Sequence, residues 1–520
     1  MRRRHTFAPL GRRQFLVRGA LAGAGLLAAR SSPAQTIPLS TNPFTLGVAS
    51  GDPSPGSVIL WTRLAPDPLN GGGMRAIPVL VRWRVAVDAS MQVVVQSGAA
   101  VAWPSLAHSV HVDVRGLQPD TWYFYQFSIG GEESAVGRTR TLPLPGALPA
   151  GLALGVVSCQ DWQNGLYPAY RNLAREDLDL VVHLGDYIYE GGPRADGPRQ
   201  HPASEVSSLA SYRNRYALYK TDPHLQAAHA AFPWLVVPDD HEVENDYAGT
   251  VPENGGDPAA FLARRANAFR AYYEHMPLRL ASFPTGPDMR LYRGLRWGTL
   301  AQVSALDTRQ YRTDQPCNDF YAPRCAEALA ESQTMTGATQ EAWLLDRLDR
   351  SAARWNVVAQ QTMFAQFDFN ANPEPGRELF GMDAWDGYVA ARNRITRFLE
   401  SRRPSNPIVL TGDIHSSWVH NLKVDFDEPS SAVVGTEYVA PSITSGFPIV
   451  GIPFVKAALA DNPHTVFFDA LFHGYLRCRV TPDAWRVDYR MVPTVLDAGV
   501  DAFTLASFVS VDGIPGAFTA

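Results

Sequence analysis

The amino-acid sequence predicts a layered α/β domain that follows a smaller all-β domain. Between residues 42 and 145, short runs of β-branched and aromatic residues alternate with turns rich in Gly, Pro and Asp, which is typical of a β-sandwich. From Gly151 onward, apolar strands alternate with helical stretches, as in α/β folds. The chain of 520 residues is long enough for one large and one small domain.

The first 34 residues have the features of an export signal. The pair Arg12-Arg13 precedes an apolar run from Gly19 to Ala29, and Ser32-Pro33-Ala34 supplies small residues for cleavage. We therefore predict a twin-arginine signal peptide over 1–34, a twin-arginine translocase as export partner, and a periplasmic or secreted destination. The apolar run of 11 residues is shorter than the roughly 20 needed to cross a bilayer, so no membrane span is predicted.

Four strand-like segments indicate the all-β domain at 42–145: Val58–Arg63, Val79–Val87, Val110–Val114 and Thr121–Phe127. The segment Arg115–Tyr123 resembles the turn into a late strand of fibronectin- or immunoglobulin-like modules, where a tyrosine holds the turn. The segment 142–146, Leu-Pro-Leu-Pro-Gly, predicts a stiff linker to the second domain.

The second domain is predicted to extend over 151–520. Its strand candidates are Leu152–Val157, Leu178–Leu184, Trp234–Val237, Leu300–Leu306, Asn356–Gln360 and Ile408–Leu410. One helix is predicted to begin at Asp257-Pro258, because Asp is a good cap and Pro a good first helical residue. A second is predicted over Gln340–Ala353, with a stripe of Trp343, Leu344 and Leu348 facing the sheet.

The charge distribution excludes several classes of function. Without the signal segment, which holds seven arginines and no acidic residue, the formal net charge falls from −5 to −12. The sequence has no run of Lys and Arg interleaved with aromatic residues, so it does not predict nucleic-acid binding. The sequence also lacks a Gly-rich phosphate loop with its Lys, which argues against a nucleotide kinase. It lacks a Ser or Thr in a strand-to-helix elbow, which argues against an α/β-hydrolase.

The four cysteines have different expected roles. Cys317 and Cys325 flank a short loop, and in an exported protein we expect them to form a local disulfide. Cys478 lies in a strand-like segment and is predicted to be a small buried residue. Cys159 directly follows a predicted strand, where a thiolate could serve as a metal ligand.

Side chains able to bind metal ions follow four separate predicted strands. They are Cys159, Asp186, the group Asp239-Asp240-His241, and the pair Asp413 and His415. In an open α/β sheet the carboxyl ends of the strands converge on one crevice, so we expect these residues to lie close together. A single Gly-Asp after a strand is more often a turn, and the prediction depends on the coincidence of all four.

The segment Asp239 to Glu242 strengthens the metal prediction, because three carboxylates beside an imidazole repel one another unless a cation lies among them. Four other histidines have no comparable group of carboxylates beside them in the sequence. We expect His183, inside a strand, to lie in the core, and His201, His224 and His229 to lie at the surface.

Five motifs in this order resemble those of the alkaline phosphatase D family, a branch of the calcineurin-like metallophosphoesterases with an N-terminal β domain. They are Val157-Ser158-Cys159-Gln160, Gly185-Asp186-Tyr187-Ile188-Tyr189-Glu190, Asp239-Asp240-His241-Glu242-Val243-Glu244-Asn245, Asp307-Thr308-Arg309-Gln310-Tyr311-Arg312 and Gly412-Asp413-Ile414-His415. The match runs from about Phe44 to Pro482. The resemblance implies an α-β-β-α sandwich for the second domain, with a C-terminal portion that lies over the site.

The resemblance also implies one ferric ion with calcium ions beside it. Cys159 and Tyr189 would bind the iron, His415 would complete its ligand set, and Asp186 would bridge iron and calcium. Thiolate and phenolate ligands suit ferric iron. Because Asp186 and Tyr189 are three residues apart, one turn after the strand can direct both at a common centre.

The calcium ligands implied by the resemblance are hard oxygen donors, as calcium requires. Asp413 and Asn245 would bind calcium, and Asp240 is an alternative to Asn245 as the principal calcium ligand. The neighbouring residues Asn245 and Asp246 leave open which side chain reaches the ion.

The implied activity is hydrolysis of phosphate monoesters or diesters by a metal-activated water or hydroxide. His241 is expected to contact the scissile phosphate or to assist the leaving group. Arg309 and Arg312 are candidates for phosphate contact, with a structural role slightly favoured for each. Two alternatives remain: a diesterase specialised for a phospholipid or cell-wall polymer, and a non-catalytic binding protein. We expect a monomer.

Overall fold

Two large β-sheets pack face to face between layers of helices in the computed structural model, which describes residues 41–370 and 377–520. The predicted signal peptide at 1–34 lies outside the described residues. In the part of the chain that the structure describes, every helix is too short or too polar to cross a bilayer.

The N-terminal region is all β, as predicted. Its strands are β1 (Val48–Ser54), β2 (Ser57–Arg63), β3 (Val79–Ala86), β4 (Val94–Ala102), β5 (Ser109–Arg115), β6 (Trp122–Ile129), β7 (Glu132–Glu133) and β8 (Gly137–Arg140). The turn before β6 is held as predicted, because the backbone N–H of Gln118 donates to Tyr123 Oη at 2.9 Å.

The second region alternates strands and helices. Its strands are β9 (Leu152–Val157), β10 (Leu180–His183), β11 (Pro233–Val236), β12 (Arg293–Trp297), β13 (Ala301–Ala305), β14 (Tyr321–Ala322), β15 (Trp355–Ala359), β16 (Phe380–Gly381), β17 (Pro407–Thr411), β18 (Ser417–Lys423), β19 (Val433–Val439), β20 (Thr465–Asp469), β21 (His473–Val480), β22 (Ala484–Val492), β23 (Phe503–Val511) and β24 (Ile514–Thr519). Its helices are α1 (Pro168–Leu173), α2 (Leu209–Lys220), α3 (Pro223–Ala231), α4 (Pro258–His275), α5 (Gly337–Asp349), α6 (Val389–Arg402) and α7 (Ile452–Ala458).

The larger sheet crosses from the second region into the N-terminal region. Its strand order is β24-β23-β22-β21-β9-β10-β11-β1-β2-β5. Strands β9, β10 and β11 are parallel, and β1 continues them in parallel with Gly51 opposite Trp234. The other N-terminal strands form a separate five-stranded sheet. Backbone hydrogen bonds therefore join the two regions, a connection that the strand pattern alone does not reveal.

The second sheet has the order β12-β13-β15-β17-β19-β18-β20, with β13, β15, β17 and β19 parallel. Apolar side chains of both sheets meet in one core, which includes Val156, Val182, Val303, Val357 and Leu410. Helices α1 to α4 cover the outer face of the first sheet, and α5 and α6 cover that of the second. The predicted α-β-β-α layering is confirmed.

The predicted elements are largely present. All six strand candidates of the second domain form, with ends that differ by at most two residues. Asp257 caps α4 by accepting from the N–H of Ala259 at 3.0 Å. The helix predicted over 340–353 spans Gly337–Asp349 instead and buries Leu344 and Leu348 as expected.

The C-terminal strands β22 to β24 extend the first sheet and bury Trp485, Tyr489 and Phe508 in the core between the sheets. They are thus part of the folded sandwich rather than a separate cover over the site. Their removal would strip apolar side chains from the core and expose a long strand edge.

The predicted disulfide and the predicted burial of Cys478 are confirmed. Cys317 and Cys325 form a disulfide, and Cys478 and Cys159 are free and buried. Of the histidines, His183 lies in the core as predicted. The prediction that His201 and His229 lie at the surface is wrong, because both are buried and hydrogen-bonded to tyrosine hydroxyls, of Tyr219 and Tyr187 respectively.

Candidate metal centre and active site

Four predicted ligands stand directly after strands in an unusual backbone conformation. Cys159, Asp186, Asp413 and His415 have φ angles of 56°, 57°, 66° and 58°, in the left-handed region that non-glycine residues rarely adopt. Such strain persists only where surrounding structure compensates for it, and it is concentrated at functional sites. The loops after β9, β10 and β17 are therefore shaped for the placement of these side chains rather than for low backbone energy.

Close approach of these loops depends on two glycines. A Cβ atom at Gly185 would lie 2.3 Å from Cβ of Asp239, and Gly185 itself has a φ of 115°. A Cβ atom at Gly412 would lie 2.9 Å from the side chain of Ser158. Both glycines therefore let ligand-bearing loops from different strands come into contact.

One end of the site, which we call the thiolate end, consists of Cys159, Asp186, Tyr189 and His415. Ligand atoms of Cys159, Asp186 and His415 all lie within 4.8 Å of one another. The Tyr189 Oη lies 2.7 Å from Asp186 Oδ2 and 3.2 Å from His415 Nε2. The structure thus brings together all four residues that the family resemblance placed around iron.

The thiol and phenol of the thiolate end need a nearby cation in order to lose their protons. Burial, reinforced by the Asp186 carboxylate, raises the pKa of the Cys159 thiol well above its usual range, and the same two effects raise the pKa of Tyr189. Burial lowers the pKa of His415 to about 4, which leaves a ring nitrogen free to act as a ligand. Thiolate and phenolate can form here only if positive charge compensates them.

The other end, which we call the carboxylate end, consists of five aspartates: Asp239, Asp240, Asp246, Asp383 and Asp413. Carboxylate oxygens of Asp239, Asp240 and Asp413 lie within 4.8 Å of one another, and Asp240 forms a further group with Asp186 and His241. Asp186 therefore belongs to both ends, which matches its predicted bridging position.

Arg309 lies at the centre of the carboxylate end and is fully buried. Its Nε donates to Asp239 at 2.5 Å, Nη1 to both oxygens of Asp383 at 2.9 Å, and Nη2 to Asp413 at 2.8 Å. Arg312 donates to the Asp383 carboxylate at 2.6 Å. The guanidinium donors are thus directed at carboxylates, which favours the structural role over phosphate contact for both arginines.

Asn245 does not direct its amide nitrogen at the aspartates of the other strands. Its Nδ2 donates to Asp246 at 3.0 Å and to Glu253 at 2.7 Å. Asp246 is nearer the centre, because its backbone N–H donates to Asp240 at 2.7 Å and its carboxylate lies 3.8 Å from Arg309 Nη1. Burial, followed by repulsion from Asp383, raises the pKa of Asp246 to about 8.

His241 is held at the boundary between the two ends. Its Nδ1 lies 2.7 Å from Glu190 Oε2, and its ring contacts that of Tyr189 at a tilt of 34°, with centroids 4.1 Å apart. Burial opposes protonation, but the carboxylates of Glu190 and Asp240 outweigh it and raise the pKa of His241. The ring is thus oriented through Nδ1, which leaves Nε2 for a second partner.

Glu242 serves the backbone rather than a metal. Its carboxylate accepts from the N–H groups of Asp186, Tyr187 and Asp239, at 3.2, 2.6 and 2.7 Å. It therefore fixes the loops after β10 and β11 relative to each other. The crowding of carboxylates in the Asp239–Glu242 segment is relieved in part by this arrangement.

The donor set fits metal ions. Three buried carboxylate oxygens, Asp186 Oδ1, Asp239 Oδ2 and Asp240 Oδ1, have no hydrogen-bond partner among the described residues. Leaving a buried carboxylate oxygen without a donor is costly, so such atoms are normally paired with a cation. Six aspartates face two arginines here, and bound cations would balance that excess.

The model of the PhoD-like phosphatase family matches residues 154–489, and the model of its N-terminal domain matches 29–143. The chain belongs to the PhoD-like phosphatase family. It is 51% identical over 480 residues to alkaline phosphatase D of Bacillus subtilis (strain 168), covering 90% of this chain and 81% of that protein. A solved structure of PhoD superposes with a TM-score of 0.89 at 49% identity and covers 93% of each chain.

Membership of the PhoD-like family confirms that the chain is a phosphoric ester hydrolase. Three aspartates of the site, Asp239, Asp246 and Asp383, were outside the ligand set that the resemblance implied. Asp239 was named only among the side chains that follow strands, and Asp246 only as the neighbour of Asn245. Asp383 carries no sequence signal, because it follows no predicted strand. Only the folded chain brings Asp383 to Arg309 and Arg312.

A cavity of about 510 Å³ opens onto the carboxylate end. Its lining includes Asp383, Asp413 and His415 together with a ring of aromatic side chains, namely Phe320, Tyr321, Phe369 and Phe447. Phe320 is 79% exposed and lies on the loop that the Cys317–Cys325 disulfide closes. The mouth of the site can therefore contact an organic group attached to a phosphate.

Proposed function

We propose that this PhoD-like enzyme hydrolyses phosphate monoesters and diesters outside the cytoplasm, with Fe³⁺ at the thiolate end and Ca²⁺ at the carboxylate end. The observation that carries the proposal is the shared position of Asp186 between two clusters of different chemistry. Thiol and phenol donors suit ferric iron, and a set of carboxylates suits calcium.

The residues that would hold each ion follow from the two ends. Cys159, Tyr189 and His415 would bind iron, and Asp186 would lie between iron and calcium. The calcium ligands would be Asp240 and Asp413, with Asp246 or the Oδ1 atom of Asn245 as a further donor. When bound, the cations lower the pKa of a water molecule and neutralise phosphate oxygens.

His241 would act on the leaving group. Glu190 holds its Nδ1 at 2.7 Å, so Nε2 is the nitrogen that can give a proton to the departing ester oxygen. Arg309 would orient the carboxylates rather than bind phosphate, because each of its nitrogen atoms donates to an aspartate. Hydrolysis then needs no covalent intermediate on a protein nucleophile.

A diester substrate with an apolar or cyclic group is the second candidate within this reaction class. The exposed ring of Phe320 and the half-exposed ring of Tyr321 line the cavity mouth, where such a group could stack. We also propose export by the twin-arginine translocase, a periplasmic or secreted location, and a monomeric state. The signal segment at 1–34 supports the first two.

The first test is elemental analysis with a visible absorption spectrum on protein purified without chelator. The expected result is iron plus calcium, with a coloured charge-transfer band that Tyr189→Phe abolishes. Cys159→Ala is expected to lose iron itself. Zinc alone, or a spectrum without a band, would contradict the assignment of iron.

A matched control is Tyr187→Phe, two residues away. Tyr187 Oη lies 2.8 Å from His229 Nε2, within the aromatic core behind the site. This variant should keep the absorption band and the iron content. Turnover of a nitrophenyl monoester and of the corresponding diester, measured on the same preparations, then distinguishes the two substrate classes.

A further inference from the structure

Another cavity, of about 340 Å³, lies where β1 of the N-terminal region meets β12 and α5. The charged side chains that line it are Asp52, Arg279, Arg290, Arg293 and Arg347. Four cations thus face one anion, in a chain whose formal net charge is −5. A local excess of positive charge within a concave surface attracts anions.

Two of these arginines are partly neutralised. Arg293 Nε lies 2.7 Å from Asp52 Oδ1, and Arg279 Nη1 lies 3.1 Å from Asp113 Oδ1. Arg293 nevertheless keeps one donor free, because its buried Nη2 has no hydrogen-bond partner among the described residues. An acceptor from outside the chain would satisfy this atom.

The other two arginines have no carboxylate partner among the described ion pairs. Within the part of the chain that the structure describes, Arg347 donates to neutral oxygens, Ser304 Oγ at 3.0 Å and the Val303 carbonyl at 3.3 Å. Arg290 is exposed, and its guanidinium lies 4.9 Å from the centre of the Tyr292 ring. Both charges are therefore available to an anion.

The position of the Arg347 guanidinium depends on the absence of a side chain at Gly294 in β12. A Cβ atom at Gly294 would lie 2.2 Å from Arg347 Nη2 and 2.3 Å from Cζ. The guanidinium thus lies directly against the backbone of β12, in space that any side chain at position 294 would fill. This packing keeps the guanidinium at the cavity wall.

We propose that this arginine pocket binds a phosphate group, either inorganic phosphate or the terminal phosphate of an organic monoester. Guanidinium N–H groups bind phosphate oxygens, and Arg293 Nη2 and the Arg347 guanidinium offer such donors from inside the pocket. Arg290 adds charge at the rim. The pocket is separate from the metal centre, since its lining shares no residue with the cavity over the carboxylate end.

Equilibrium dialysis of the holoenzyme against radiolabelled inorganic phosphate tests the proposal. The wild type is expected to bind at two sites, one at the metal centre and one in the arginine pocket. Arg290→Glu and Arg347→Gln should each weaken one site at least about tenfold, as expected for loss of a charged donor, and leave turnover of a nitrophenyl ester unchanged. The control is Arg350→Glu, on an exposed residue just after α5.

Gly294→Ala provides a second variant that changes no charge. It should displace the Arg347 guanidinium and weaken the same site, with thermal unfolding measured to confirm the fold. Phenylphosphonate, which carries a phosphorus–carbon bond that the enzyme cannot hydrolyse as an ester, distinguishes the two ligand sources. Displacement of phosphate from the pocket indicates a monoester site, and its absence indicates a site for the free ion.

The proposal is overturned if wild-type protein binds phosphate at one site that survives both arginine substitutions, or if Arg350→Glu weakens binding as much as Arg290→Glu. A single site lost in the arginine variants would instead support the pocket and count against phosphate binding at the metal centre. The two proposals can therefore fail separately.

Discussion

The thiolate end and the carboxylate end of the site differ in how much positive charge the protein places beside their acidic side chains. The thiolate end has donors that must lose protons to bind an ion, and among the described hydrogen bonds no arginine donates to the Cys159 thiol or to the Tyr189 hydroxyl. The carboxylate end contains Arg309, which contacts three aspartates directly. The protein thus supplies guanidinium charge within the carboxylate end, whereas the thiolate end has only His241 at its boundary.

This difference indicates that the two ends suit cations of different charge. Under the proposed function, a centre with no internal arginine would gain the most from a single highly charged ion, such as ferric iron. A centre that already holds a buried guanidinium would need less added charge and would bind calcium more weakly. Asp186 lies between the two ends, which differ in chemistry.

The largest effect is expected from Asp186→Asn, because this residue belongs to both ends. Loss of one carboxylate charge should lower the affinity for both metals and reduce kcat at least about 100-fold, since changes behind metal ligands already cost about 10–100-fold. Elemental analysis of the variant and its rate of turnover test this prediction. Loss of one metal with full retention of the other would show that the ends do not share this ligand.

Selective chelation of calcium separates the ends without mutation. A calcium-selective chelator should abolish turnover and leave the absorption band in place, because the thiolate end keeps its own four donors. Added calcium should restore activity. Bleaching of the band together with loss of activity would mean that the two ends form one inseparable cluster.

Arg309→Gln is expected to destabilise the metal-free protein by about 3–5 kcal/mol, the usual result of removing one partner of a buried ion pair. Denaturant unfolding in chelator measures it. Excess calcium should recover part of the loss by supplying the missing charge. Arg312→Gln is the matched control and should cost less, because Arg312 pairs with one described carboxylate, that of Asp383, and otherwise donates to the carbonyls of Asp246 and Asp383.

The metal-free protein should become less stable as pH rises. Burial raises the pKa of Asp413 and of Asp246 to about 8, above the value of about 3.9 in an unfolded chain. Between these values the folded state binds more protons than the unfolded state, so stability decreases with pH from about 4 to about 8. The free energy of unfolding, measured in chelator across this pH range, tests the prediction. Added calcium should reduce the dependence of stability on pH.

The smallest effect is expected from Ser445→Ala at the thiolate end. The Ser445 hydroxyl lies 2.6 Å from Tyr189 Oη and 3.0 Å from the carbonyl of Cys159. Its loss should shift the absorption band and reduce turnover by about tenfold. Ser442→Ala is the control, because the Ser442 hydroxyl contacts His473 and the Ser445 carbonyl rather than the Tyr189 hydroxyl. An unchanged spectrum would show that Ser445 does not influence the tyrosine ligand.

The sequence predicted those site residues that follow strands. Cys159, Asp186, Asp240 and Asp413 could be found because the carboxyl ends of parallel strands meet at one edge, whatever the details of packing. The alternating pattern likewise predicted a layered α/β region and an all-β N-terminal region, and the family resemblance implied the four layers. These features are local, since they depend on residues near one another in the chain.

Tertiary structure decided what depends on distant segments. The position of Asp383 beside Arg309, the burial of His201 and His229, and the pairing of β1 with β11 all join residues far apart in sequence. No local periodicity encodes such contacts, because strand pairing and ion pairing are settled by which surfaces meet when the sheets pack. The sequence therefore determined the chemistry of the ligands, and the packing of the two sheets decided which charges surround them.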